Sequence, residues 1–133
     1  MAFTVPDVGE VQLLKRLLGI GGTANGNLTL RLYENDPTVD ENITVGMITE
    51  CTAAGYAAIT LTAGSWAVPT TVSGQTSTSY AQQTFTFTAG TNVFGYYITD
   101  GSNLVLIERF SSAPFVIPAA GGQIAITPTM NLE

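Results

Sequence analysis

Ten acids, four bases and no histidine are the reactive material of this 133-residue chain, which excludes histidine general-base catalysis and histidine metal ligation. Four of the acids gather in one place: Glu34, Asp36, Asp40 and Glu41 surround Pro37. Oxygen donors on a loop suit a hard cation, so these four are the candidate Ca²⁺ ligands. The EF-hand spacing and its mid-loop glycine are absent, and a solvated turn has the same composition. Paired carboxylates also serve glycoside hydrolysis, but such a site adds aromatic platforms and acids carried on strands, and most strands expected here carry none. Cys51 is alone, so no intrachain disulfide forms, and without a base to activate it the thiol reads as a small buried apolar group. Gly19 to Gly26 is glycine-rich but lacks the Lys-Ser/Thr of a phosphate cradle. The expectation is a protein that is not an enzyme, with no catalytic residue, cofactor, resident metal or small-molecule substrate.

Other polar and aromatic residues read as structural or as contacts. Glu108 and Arg109 are neighbours on an expected strand and point to opposite faces. Arg31 and Arg109 are the bases beyond the N-terminal helix, and either could pair with Glu108, Glu34 or Glu50 as a structural ion pair. Trp66, Tyr96 and Tyr97 could stack on carbohydrate, although aromatics on strands more often serve a core or an interface. Tyr96 and Tyr97 alternate in direction, so at least one ring is expected outside the core.

The elements that must position these groups follow from periodicity. Residues 1–8 read as an extended arm, since Pro6 disfavours helix at Val5. Asp7 stands three residues before Glu10, a capping-box spacing, and Leu13, Leu14, Leu17 and Leu18 give one wide apolar face, so a helix is expected over 9–20. Everything after it reads as β. Leu28, Leu30 and Leu32 alternate with Thr29, Arg31 and Tyr33; Phe85 and Phe87 alternate with Thr84, Thr86 and Thr88; Ile124 and Ile126 alternate with Ala125 and Thr127. Further strands are expected over 43–49, 56–62, 65–68, 93–99, 103–110 and 114–117. Asp100-Gly101-Ser102 is a hairpin turn by chemistry, and Thr70 to Ser79 is a loop by composition. About eight or nine short strands without α/β alternation predict an all-β fold, an antiparallel β-sandwich or barrel in one domain over 9–133.

Charge placement carries the functional reading. Charged residues make up 11% of the chain, against roughly 25% in an ordinary soluble domain. Cys51 to Thr99 contains none over 49 residues. A net charge of −6 with four bases repels nucleic acid. No stretch reaches the length of a membrane span, and Met1 to Val8 lacks the positive charge of a secretion signal. Exposed sheet edges are ordinarily protected by lysine, proline or inward charge, yet the single lysine lies in the helix. The segment Gln82 to Thr88 is β-prone and uncharged, so a free monomer is expected to associate. The arm and the C-terminal Met130 and Leu132 are natural candidates to reach a neighbour.

Several segments carry a family likeness: Asn27-Leu28-Thr29-Leu30-Arg31-Leu32-Tyr33-Glu34-Asn35, Gly55-Tyr56-Ala57 and the lone Trp66. Tyr80 to Phe87, Val93-Phe94-Gly95-Tyr96-Tyr97, Leu106 to Phe110, and Ile117-Pro118 before a Gly-Gly pair and a last alternating strand continue it. In this order the chain resembles the small virion proteins of tailed bacteriophages, including those of cyanobacteria, some of which are capsid decoration or cement proteins. The resemblance implies a virion structural protein made in the host cytoplasm and placed on the capsid surface. Its partners would be the major capsid protein and copies of itself, as a homo-oligomer (dimer or trimer), with no nucleic acid and no membrane. The assembly-interface candidates are Phe3, Val5, Leu13, Leu14, Leu17, Leu18, Trp66 and Tyr97. Two other readings stay open: a tail tube or baseplate component, and a host-surface glycan- or receptor-binding module.

Overall fold

A computed structural model describes residues 4–18 and 26–132. Among them the chain forms one α-helix, α1 (Asp7–Leu18), and eleven strands. The strands are β1 (Leu28–Tyr33), β2 (Ile59–Leu61), β3 (Thr70–Val72), β4 (Gln75–Ser79), β5 (Gln83–Phe87), β6 (Thr91–Val93), β7 (Gly95–Asp100), β8 (Asn103–Arg109), β9 (Phe115–Ile117), β10 (Gly122–Ile126) and β11 (Thr129–Leu132). The fold is all-β and sandwich-like; all its pairings are antiparallel and no barrel closes.

The central sheet runs β2-β1-β7-β8. On one face Leu28, Leu30, Leu32, Ile98 and Leu106 meet Phe85 and Phe87 of β5, Ile124 and Ile126 of β10, Val93 of β6 and Ile117 of β9 in one core. The pairs β5–β10 and β6–β9 thus supply the second layer. The other face is not solvated. Tyr33, Tyr97, Leu104 and Ile107 form a second core with Ile43, backed by Val39, Ile48 and Phe94. That cover comes from the segment joining β1 to β2, which folds down by a 3₁₀ turn at Val45–Met47.

A bulge in β8 sets which of its residues enter each core. The register runs Ile98↔Leu106 and then Thr99↔Leu104, so Val105 has no opposite residue. An extra residue resets the alternation. Leu104 and Ile107 therefore enter one core while Val105 and Leu106 enter the other, and four consecutive apolar residues are all buried. Because both faces of the sheet are covered, Tyr96 and Tyr97 are both buried, one on each face, rather than one lying outside.

The rim of the central sheet at β8 is covered by its own chain. Thr4 exchanges two backbone bonds with Ile107, at 2.8 and 3.0 Å, and α1 packs along the same strand. The arm is thus extended only to Pro6 among its described residues, and from Thr4 on it is held at home. The helix starts at Asp7, earlier than expected, because the Pro6 carbonyl accepts from Gly9 and Glu10 and Asp7 is already helical. The expected stretch beyond Leu18 lies outside the described residues.

Three other expectations change. The 43–49 stretch is the 3₁₀ turn, held by Asn35, whose side chain donates to the Met47 carbonyl and accepts from the Thr49 amide. Residues 65–68 are not a strand. Residues 70–79 are a hairpin, β3–β4, turning at Ser73-Gly74, where both φ values are positive (52° and 85°), as a tight two-residue hairpin turn requires. The C-terminal β11 pairs with β4 of the same hairpin, and Met130 packs on the first core, while Leu132 is exposed.

Gly9 decides how closely α1 approaches the bulge. A Cβ there would overlap the Val105 carbonyl. Helix propensity alone favours Gly→Ala by about 1 kcal/mol, whereas forced overpacking costs about 1–3 kcal/mol. Gly9→Ala is therefore expected to destabilise the protein; a raised urea midpoint would show that the helix does not rest on β8 this closely.

Candidate functional site

The four clustered acids do not converge. Asp36 takes Arg109 in a two-pronged pair, 2.7 and 3.0 Å, which holds its carboxyl below the usual range. Glu34 accepts from the Thr52 amide and hydroxyl, and Asp40 accepts from the Asn42 amide. Glu41 serves through its backbone, accepting from the Asp7 amide at the start of α1. No group of three or more acid, cysteine or histidine side chains among the described residues is placed to hold a metal ion, which corrects the Ca²⁺ candidate Glu34, Asp36, Asp40 and Glu41.

The described arginines are structural. Arg31 meets both oxygens of Glu50 at 2.8 and 3.0 Å, one of the pairings expected. Arg109 chooses Asp36 rather than Glu108, Glu34 or Glu50, because it leaves β8 on the face opposite Glu108. Arg16 of α1 reaches Asp100 at 2.9 Å and the Gly26 carbonyl, tying the helix to the β7–β8 turn.

Glu50 also accepts from the Tyr56 hydroxyl at 2.8 Å, and that hydroxyl accepts from the Leu32 amide. Cys51 beside it is buried, and burial with the nearby Glu34 and Glu50 pushes its thiol up to about 12, the opposite of what a nucleophile needs.

Burial also pushes Tyr33, Tyr56 and Tyr96 far above the ordinary phenol value and Tyr97 up to about 12. These groups pack and hydrogen-bond; none is poised for proton transfer near neutrality.

The exposed surface is where the unusual features lie. Val8, Val11 and Leu14 recur along the outer side of α1, with Leu14 59% exposed. Val45 of the 3₁₀ turn stands beside Val8 and Val11, and Met47 of the same turn is 56% exposed. Between helix and turn lies a cleft of about 240 Å³ lined by the apolar Val8, Val11, Val45 and Leu104 and the polar Gln12, Thr44, Ser102 and Asn103. On the second layer the outward residues Thr84, Thr86 and Thr88 of the β5 segment and Gln123 and Ala125 of β10 present an uncharged face.

The expected interface residues divide. Leu14 is exposed. Leu13 and Val5 are partly buried against the first core, because the helix presents Leu13 inward and Thr4 pins the arm. Trp66 also packs there, edge-on to Tyr80 with ring centroids 5.3 Å apart. Tyr97 is buried in the second core and is corrected to a packing residue. Phe3 and the side chains of Leu17 and Leu18 lie outside the described residues. Sequence reasoning included Val8 only as the end of the arm and missed Val11, Val45 and Met47 as contact residues. The i, i+3 spacing of Val8 and Val11 was the available signal, masked by the denser leucines beyond it.

Comparison with protein-family models, curated proteins and solved structures found no match for this chain. No described helix is long and apolar enough to cross a membrane.

The tyrosine environments predict an alkaline transition. A phenol whose folded pKa is raised contributes its stability in full below the unfolded value of 10.0 and loses it as the pH climbs towards the folded value, about 12 for Tyr97. The Cys51 thiol adds the same sign, starting from its ordinary 9.0. Tyr80 is the exception: the Thr62 amide donates to its hydroxyl and holds its pKa below the ordinary value. Absorbance titration should show one tyrosine ionising first, with the other four following together as the protein unfolds between about pH 10 and pH 12. Five tyrosines ionising smoothly around pH 10 would contradict the buried assignments.

Proposed function

We propose that the chain is a bacteriophage virion structural protein of the capsid decoration (cement) type, binding the major capsid protein and copies of itself. The observation that carries the reading is the patch of exposed apolar residues Val8, Val11, Leu14, Val45 and Met47, together with the uncharged outer face of β5 and β10. The described arginines are committed to internal ion pairs and the buried thiol and phenols to packing, so the chemistry left at the surface is that of contact. Many copies on a regular lattice bind strongly even when each contact is modest. Sparse surface charge also limits repulsion between adjacent copies. The family resemblance of the β1, β5 and β7 segments supports the same role.

A tail tube or baseplate component is the second reading, and one observation favours it. The hairpin β3–β4 is an exposed, uncharged projection, with Val72 71% exposed, of the sort that polymerising subunits exchange.

An electron-microscopy map of the purified particle separates the two. The decoration reading expects density for this chain on the head at capsomer junctions; density confined to the tail would overturn it. The patch is tested on the same particles. Leu14→Ser with Met47→Ser is expected to cut incorporation at least tenfold, while stability stays within about 0.5 kcal/mol because both sites are exposed. Undiminished incorporation would remove the patch from the contact.

A further inference from the structure

β10 is hydrogen-bonded to β5 along one edge, and no described strand pairs with the other. Two clefts of about 390 and 350 Å³ adjoin β10, sharing Glu108, Phe110, Ala125 and Ile126 in their walls. No β5 residue lines either cleft, so both lie on the unpaired side and together make one groove along the strand. Thr127, Thr129 and Asn131 continue it beyond one end of β10, and Ser112 and Phe115 flank the other. The groove has the length and the open backbone edge that an added strand uses.

Glu108 lies at the middle of this groove. Its Oε2 accepts from the Tyr96 hydroxyl at 2.8 Å, and no described base pairs with it. A segment laid over β10 would strip water from this carboxylate, and a carboxylate buried without a cation is costly. The occupant must therefore bring positive charge. A second copy is poorly equipped to do so: three of the four bases are already held by Asp100, Glu50 and Asp36. The net charge of −6 favours a basic partner over another copy as well.

We propose that the unpaired edge of β10 receives an extended segment of the protein this chain coats, with an arginine or lysine of that segment set against Glu108. This rests on reading the chain as an assembly subunit, and it names the surface and the chemistry of the partner. Arginine suits the site better than lysine. Its planar fork can take both carboxylate oxygens and lie over the Phe110 ring. Main-chain bonds to β10 would supply affinity independent of sequence, and the Glu108 pair would fix register.

The test uses the full chain and short capped peptides of alternating Thr and Val with a central Arg, Gln or Glu. The Arg peptide is expected to shift the backbone amide resonances of Gly122–Ile126 and to bind at least tenfold more tightly than the Glu peptide. Glu108→Gln, which keeps an acceptor for Tyr96, should erase that preference while leaving the rest of the spectrum in place. Methylating one alternate set of peptide amides should abolish binding, and methylating the other set should not. Equal binding of the Arg and Glu peptides, shifts at β3 instead of β10, or no shift with any peptide would overturn the proposal. These results are independent of where the protein sits on a particle. Failure here with density on the head removes only the β10 site, whereas peptide binding without head density removes the decoration role.

Discussion

The central sheet is apolar on both faces, and most of the fold is placed by the need to cover it. Leu30, Leu32 and Ile98 face one way, Tyr33, Tyr97 and Ile107 the other, all of them buried. One cover is a second β layer. The other is an irregular segment that would have little reason to order without Ile43 and Ile48 to bury. The β8 bulge follows from the same constraint, since only a reset of alternation sends the neighbours Val105 and Leu106 to the same core. The Thr4 bridge and α1 then close the β8 edge.

Charge is spent inside this arrangement. Arg109–Asp36 joins residues 73 apart in sequence, and Arg16–Asp100 joins residues 84 apart. Each ties a covering element to the sheet: the β1–β2 segment in one case, α1 in the other. Such pairs contribute modestly to stability when solvent-exposed; what they fix here is which segment covers which face. The outer faces of β5 and β10 are left to Thr, Gln and Ala, while Asp7, Glu10, Asp40 and Glu41 carry charge at the surface around α1 and the β1–β2 segment.

Much of the fold is legible in the sequence because half-buried strands alternate. β1, β5 and β10 are readable from Leu28–Leu32, Phe85–Phe87 and Ile124–Ile126, each with one side towards the first core. The second core is harder to see, because its cover is not a periodic element. Ile43 and Ile48 are anchors of a loop that looks like a weak strand. The continuous run Leu104–Ile107 was the available clue, since unbroken apolar runs belong to strands covered on both faces. The β3–β4 hairpin escaped because Thr and Ser on both sides leave no pattern, although Ser73-Gly74 is turn chemistry. The candidate surfaces were only half visible: Leu14 was, but the union of α1 with Val45 and Met47, and the groove joining Glu108 to β10, need residues far apart in the chain.

The proposed role requires that the exposed apolar residues of α1 and the 3₁₀ turn be covered in an assembly. Hydroxyl-radical footprinting tests it most directly, comparing the free chain with the chain in its native assembly. Val8, Val11, Leu14 and Met47, reactive in the free protein, are expected to become protected in the assembly. Equal reactivity of these residues in both states would contradict it.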